Sequence, residues 1–111
     1  MAALKFGGSP GPSAITEEYD GTSWTTVNSL NFTRFDLAGC GVQNAALSFG
    51  GWTTIRSAIT EEYNGTSWMV ADSLNTACND LAGAGVHSAG LSFGGRNSSG
   101  LSAVTEEYNE I

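Results

Sequence analysis

The sequence predicts an all-β chain assembled from repeats of four short antiparallel strands. Three observations predict it: the chain repeats itself at a period of about 44 residues, each period holds strand-like runs separated by turn residues, and no stretch keeps a helical 3.6-residue rhythm for three turns. Phe-Gly-Gly recurs at 6–8, 49–51 and 93–95, and Thr-Glu-Glu-Tyr at 16–19, 60–63 and 105–108. Gly-Thr-Ser-Trp stands at 21–24 and 65–68, Ser-Leu-Asn at 29–31 and 73–75, and Asp-Leu-Ala-Gly at 36–39 and 80–83. Aligned at a 44-residue offset, 14–51 and 58–95 agree at 25 of 38 positions, which points to duplication with little later divergence.

Within one period the elements follow in order. Run A, 36–42, is rich in Gly and Ala with Leu37 at its start. Run B, 45–49, places Ala45, Leu47 and Phe49 on one face and is closed by Gly50-Gly51, where the chain turns at a point that resists a Cβ. Run C is 58–63 and run D is 68 to about 71; between them Asn64-Gly65, or Asp20-Gly21 one copy earlier, is a two-residue hairpin signal that asks for φ > 0 at both central residues. Four antiparallel strands in about 44 residues make one blade of a β-propeller. The small residues of run A (Gly39, Gly41, Ala82, Gly83 and Gly85) then have a reason, because the innermost strands crowd around the axis.

An Arg-x-x-Leu-Ala-Gly inner strand, an apolar strand ending in Gly-Gly, and a Tyr and a Trp flanking a short hairpin together resemble the kelch repeat. Arg34, Leu37, Ala38, Gly39, Leu47, Phe49, Gly50, Gly51, Glu61, Tyr63 and Trp68 carry the resemblance, which covers essentially the whole chain. The wording of the repeats is also similar to kelch-like arrays of bacterial and viral sequences. The 111 residues divide into a blade lacking strand A (1–31), a complete blade (32–75) and a blade lacking strand D (76–111). An open arc of this kind exposes apolar faces and unpaired edges. The expectation is therefore a homo-oligomer in which the ring is completed by head-to-tail association, with a dimer of six blades favoured and a five-bladed closure left open.

Composition narrows the partners. Eleven acids against four bases give a net charge of −7, and the bases Lys5, Arg34, Arg56 and Arg96 are scattered, so nucleic acid is not expected to bind. No apolar run approaches the ~18 residues that would cross a membrane. No secretory leader is visible at the start, so a cytoplasmic protein is expected, with a virion or mobile-element product as a further setting, and the sequons at Asn31, Asn64 and Asn97 read as coincidental. Cys40 and Cys78 lack any Cys-x-x-Cys spacing and read as small buried apolar residues.

Catalytic signals are missing. The adjacent acids Glu17-Glu18, Glu61-Glu62 and Glu106-Glu107 lie on strands, where neighbours point to opposite faces and cannot share a substrate. One Glu of each pair is expected to accept hydrogen bonds from a neighbouring segment and the other to face water. His87 is the only histidine, no run of oxygen ligands suits calcium, and no nucleophile elbow or P-loop occurs. Some propellers that resemble kelch rings are copper oxidases, but their Tyr and His ligands have no counterpart here. No enzyme activity, cofactor or metal is expected.

What varies among copies is the loop between runs B and C, at 9–15, 52–59 and 96–104. Blade loops carry function on a rigid scaffold. Trp52 has no aromatic counterpart in the other copies, unlike Trp24 and Trp68, whose recurrence marks them as blade core. It suits sugar stacking, peptide anchoring, or packing against a neighbouring blade or chain. In kelch rings an Arg at the position of Arg34 often points to the channel mouth, so the resemblance implies anion binding; here the next copy has Cys78 instead, and pairing with a nearby acid is the other role open to it. Trp52, Arg34, Arg56 and Arg96 form the candidate contact set. The expected function is a non-enzymatic, self-assembling propeller scaffold that binds a protein through one loop face, with a carbohydrate-binding, lectin-like module as the rival.

Overall fold

A computed structural model describes residues 2–8 and 13–109 of the chain. The protein is all-β: among the described residues every regular element is a strand, the sheets are antiparallel, and no helix is long and apolar enough to cross a membrane. Sheet I is formed by β1 (Ala3–Phe6), β2 (Thr16–Tyr19) and β3 (Trp24–Val27). Sheet II holds β4 (Ala38–Val42), β5 (Ala45–Phe49), β6 (Thr60–Tyr63) and β7 (Trp68–Ala71) in sequence order. In sheet III, β8 (Ala82–Val86) and β9 (Ala89–Phe93) are joined by β12 (Thr105–Asn109), while β10 (Arg96–Asn97) and β11 (Gly100–Leu101) form a small separate hairpin within the β9–β12 connection.

Register follows the repeat. Ala46 faces Tyr63 and Phe49 faces Thr60 across β5 and β6, and Gly90 faces Tyr108 and Phe93 faces Thr105 in the equivalent pair of sheet III. Run A begins later than the sequence predicts, because Asp36 and Asp80 each take φ near 56° and break the extended backbone before the strand starts. Short polar Asp tolerates that region better than most residues.

The C–D turns also differ from expectation. In each, only the glycine, Gly21 or Gly65, takes positive φ, and the link runs over four residues, 20–23 or 64–67, instead of two. Asn64 Oδ1 accepts the Thr66 and Ser67 N–H groups, both at 2.9 Å, and Asp20 Oδ1 does the same for Thr22 and Ser23. The side chain completes the turn, so the second left-handed residue is unnecessary.

Packing joins the sheets through two apolar clusters. Leu30, Ala46, Tyr63 and Trp68 pack with Leu4 and Phe6 between sheets I and II. Ala38, Leu47, Phe49, Cys78 and Leu81 pack with Leu74 and Tyr108 between sheets II and III. The inner strands β4 and β8 lie side by side, and a Cβ on Gly83 would stand 2.4 Å from the Phe49 ring and 3.1 Å from Gly39 O. Glycine is what lets the phenylalanine of one sheet cover the first inner strand of the next.

The two recurrent tryptophans part company. Trp68 is buried, whereas Trp24 is 50% exposed, because Trp68 packs backwards onto sheet I and no described residue lies behind sheet I to receive Trp24. Core membership was thus expected of both and holds for one. Of the first B–C loop, residues 9–12 lie outside the described residues, as do the terminal residues 110 and 111.

Candidate functional site

The two inter-sheet joints share a tyrosine–glutamate bond and a glutamate that holds the connection, and the first adds a tryptophan and an arginine. Trp68 sits edge-on to Phe6 at 4.9 Å and tilted against Tyr63 at 5.0 Å, and its Nε1 donates to Thr16 Oγ1 at 2.9 Å. Tyr63 Oη donates to Glu18 Oε2 at 2.7 Å, and one repeat later Tyr108 Oη donates to Glu62 Oε2 at 2.6 Å. The second acid of these pairs therefore receives the phenol of the following sheet instead of simply facing water. Its partner acid serves the chain connection: Glu61 Oε1 accepts Asn31 N at 2.8 Å and Asn31 Nδ2 at 3.0 Å, and Glu106 accepts Asn75 N at 2.6 Å and Thr76 N at 3.2 Å.

Arg34 completes the first joint from inside. Fully buried, it donates through Nη1 to Gly50 O and Ile59 O at 2.9 Å each, and through Nη2 to Ser48 Oγ and to Glu61 Oε2 at 3.2 Å. Burial lowers the guanidinium pKa from its ordinary value and the Glu61 carboxylate works against that shift. A ligand could touch this side chain only if the packing around it opened, which separates Arg34 from the other members of the contact set. In the second joint Cys78 takes its place, buried in the core, and burial pushes its thiol pKa up, as it does for half-buried Cys40.

Burial, and next the adjacent Glu18 carboxylate, push the Tyr63 phenol up to about 12 from 10.0. The folded state holds this proton more tightly than the unfolded chain, so the contribution is complete below pH 10 and is lost as pH rises toward 12. A Tyr63→Phe variant is expected to be less stable than the parent at pH 8 by about 1–2 kcal/mol, with the gap closing between pH 10 and 12 in chemical denaturation.

The other three contact residues come together on one loop face. Trp52 exchanges backbone hydrogen bonds with Phe35 at 2.8 and 3.1 Å, and the Arg56 guanidinium lies over its ring, 5.2 Å from the centroid. Arg56 Nε donates to Asn79 Oδ1 at 2.9 Å, and Asn79 exchanges backbone hydrogen bonds with Arg96 at 3.0 and 2.8 Å. The strip Trp52–Arg56–Asn79–Arg96 thus runs across two adjacent B–C loops, flanked by Ile55 and Leu101, which are 69% and 82% exposed. Two of the four basic residues of an acidic chain meet here. Asn79 was not singled out by sequence; it stands where the preceding copy has Phe35, and nothing in the pattern marks it as the bridge.

A groove separates sheets II and III on the β12 side. Its volume is about 470 Å³, and Phe49, Thr60, Leu74, Glu106 and Tyr108 line it. Among the described residues, no group of three or more His, Cys, Asp or Glu side chains is placed to hold a metal ion. Compared with known proteins, the chain matches no family model and no curated protein, so the internal repeat and the geometry carry the functional argument.

Proposed function

We propose that the chain is a non-enzymatic, kelch-like β-propeller scaffold that associates head to tail with a second copy into a six-bladed ring and offers one loop face to a protein partner. One observation carries the reading. The side chains that link neighbouring sheets inside the chain recur, without partners among the described residues, on its two outer faces. Sheet I presents the phenol of Tyr19 and the half-exposed indole of Trp24, and sheet III presents the carboxylate of Glu107 and the hydroxyl of Thr105. Among the described residues none of these four side-chain polar groups has a hydrogen-bond partner. By the repeat, Tyr19 is to Glu107 what Tyr63 is to Glu18, and Trp24 is to Thr105 what Trp68 is to Thr16. Two chains of three sheets joined this way give six blades, and closure by rotation removes both exposed faces.

Charge exchange tests the joint. Glu107→Lys should place a cation opposite Tyr19 and weaken association, and Tyr19→Glu should place an acid opposite Glu107 and do the same; the two together in one chain should restore the wild-type mass in light scattering. Single variants that assemble like the parent would place the contact elsewhere.

On the loop face, Arg56 occupies one side of the Trp52 indole and Arg96 stands nearby, an arrangement that suits a protein carrying acidic groups better than a sugar ring needing an open aromatic face. A glycan array probed with the parent and with Trp52→Ala separates the two: a sugar signal that vanishes with Trp52 would favour the lectin-like reading.

A further inference from the structure

We infer that the groove between sheets II and III is a binding site for an extended polypeptide segment carrying a tryptophan, laid along β12 as an added outer strand. The inference concerns the interior of one chain and does not depend on ring closure.

The molecule contains an occupied version of this site. Phe49, Thr60, Leu74, Glu106 and Tyr108, which line the groove, correspond by the repeat to Phe6, Thr16, Leu30, Glu61 and Tyr63. In the first joint four of those residues surround Trp68: Phe6 and Tyr63 hold its ring at 4.9 and 5.0 Å, Leu30 shares its buried cluster, and Thr16 Oγ1 accepts its Nε1–H at 2.9 Å; Glu61 holds the connection through Asn31. In the second joint Thr60 is just as buried, 1% exposed, lines the groove, and among the described residues its hydroxyl has no hydrogen-bond partner. It is an acceptor set at the depth where an indole N–H arrives.

The strand position is prepared as well. β6 pairs with β7, bringing Tyr63 opposite Trp68, whereas β12 pairs with β9 and no described strand lies along its outer edge. Asn31 Nδ2 donates to Trp68 O at 3.0 Å, and its counterpart Asn75, exposed at the groove, stands ready to do the same for an incoming strand. Strand addition of this kind draws affinity from main-chain hydrogen bonds and specificity from a side-chain pocket. The groove's 470 Å³ falls inside the range of about 300–1,000 Å³ usual for ligand sites.

The probe is a capped peptide with the sequence of residues 64–71, its tryptophan replaced by 5-fluorotryptophan and followed by fluorine NMR, so that the protein's own three tryptophans are silent. Saturable binding is expected, and the same peptide with Trp→Ala, read by competition, should bind at least ~30-fold more weakly, as for a buried anchor residue. Thr60→Val should weaken the fluorinated peptide ~5- to 10-fold with the melting transition retained, while Thr16→Val, whose site Trp68 already fills, should leave affinity unchanged. Should Thr60→Val fail to fold, a photo-crosslinking residue at the tryptophan position decides: attachment to β12 or to residues 74–75 supports the site, and attachment elsewhere overturns it. Absence of saturation up to 1 mM, or equal affinity of the alanine peptide, also overturns it.

Discussion

Replacing Glu61 by Ala is expected to cost about 3–5 kcal/mol, because it leaves the Arg34 guanidinium buried without its counter-charge. The whole stability of a domain this size is about 5–15 kcal/mol, so the variant should be largely unfolded on modest warming. The loss has two parts. Arg34 keeps its three neutral acceptors, Gly50 O, Ile59 O and Ser48 Oγ, but among the described residues a fully buried cation loses the carboxylate it is paired with. In addition, Asn31 N and Phe32 N lose the carboxylate that accepts them at 2.8 and 3.3 Å, and the connection into β4 loses its anchor. The repeat supplies the control. Glu106 occupies the same position in sheet III, holds Asn75 N and Thr76 N, and faces Cys78 where an arginine would be. Glu106→Ala should therefore cost only about 1 kcal/mol, the scale of hydrogen bonds lost near solvent. Equal losses for the two variants in urea melts would refute the charge argument.

Trp68→Ala is expected to cost about 3–5 kcal/mol, as large aromatic truncations in cores do. The indole fills the space between sheets I and II, and its removal strands the buried hydroxyl of Thr16 as well as emptying the contact with Phe6 and Tyr63. Trp24, in the same sequence context, should behave differently. Half exposed, with its ring against Tyr19 at 5.2 Å, it should change the stability of the separate chain by less than about 0.5–1 kcal/mol on substitution by Ala. Its effect should fall on association instead, since the proposed joint buries it between copies. A Trp24→Ala chain that melts like the parent yet dissociates at lower dilution separates the two roles cleanly.

Much of the architecture could be read from the residues because duplication displays the same strands twice. Runs B and D matched β5 and β7 to the residue, since Leu47 and Phe49 alternate on one face and Trp68 recurs where Trp24 stands. Less could be read at the strand starts and turns. There, single polar side chains decide the backbone: Asp36 and Asp80 by taking a left-handed conformation, and Asn64 and Asp20 by accepting two N–H groups. The joint was partly visible. Thr, Glu, Glu and Tyr recur as one word, but which acid meets the tyrosine and which meets the connection depends on the pleat and on the next sheet, 45 or 46 residues away for the tyrosine pairs. Arg34 was legible as an arginine with two possible roles, and only its surroundings show a buried cation tied to Glu61. Trp24 could not be told from Trp68 by sequence, because the difference lies in whether another sheet stands behind it.

The central claim is that the outer faces of sheets I and III are two halves of one joint. The most direct measurement is the native mass by light scattering on a size-exclusion column at micromolar concentration. Head-to-tail closure predicts a single species of twice the 11.5 kDa chain mass. A monodisperse species at 11.5 kDa with one cooperative melting transition would contradict it.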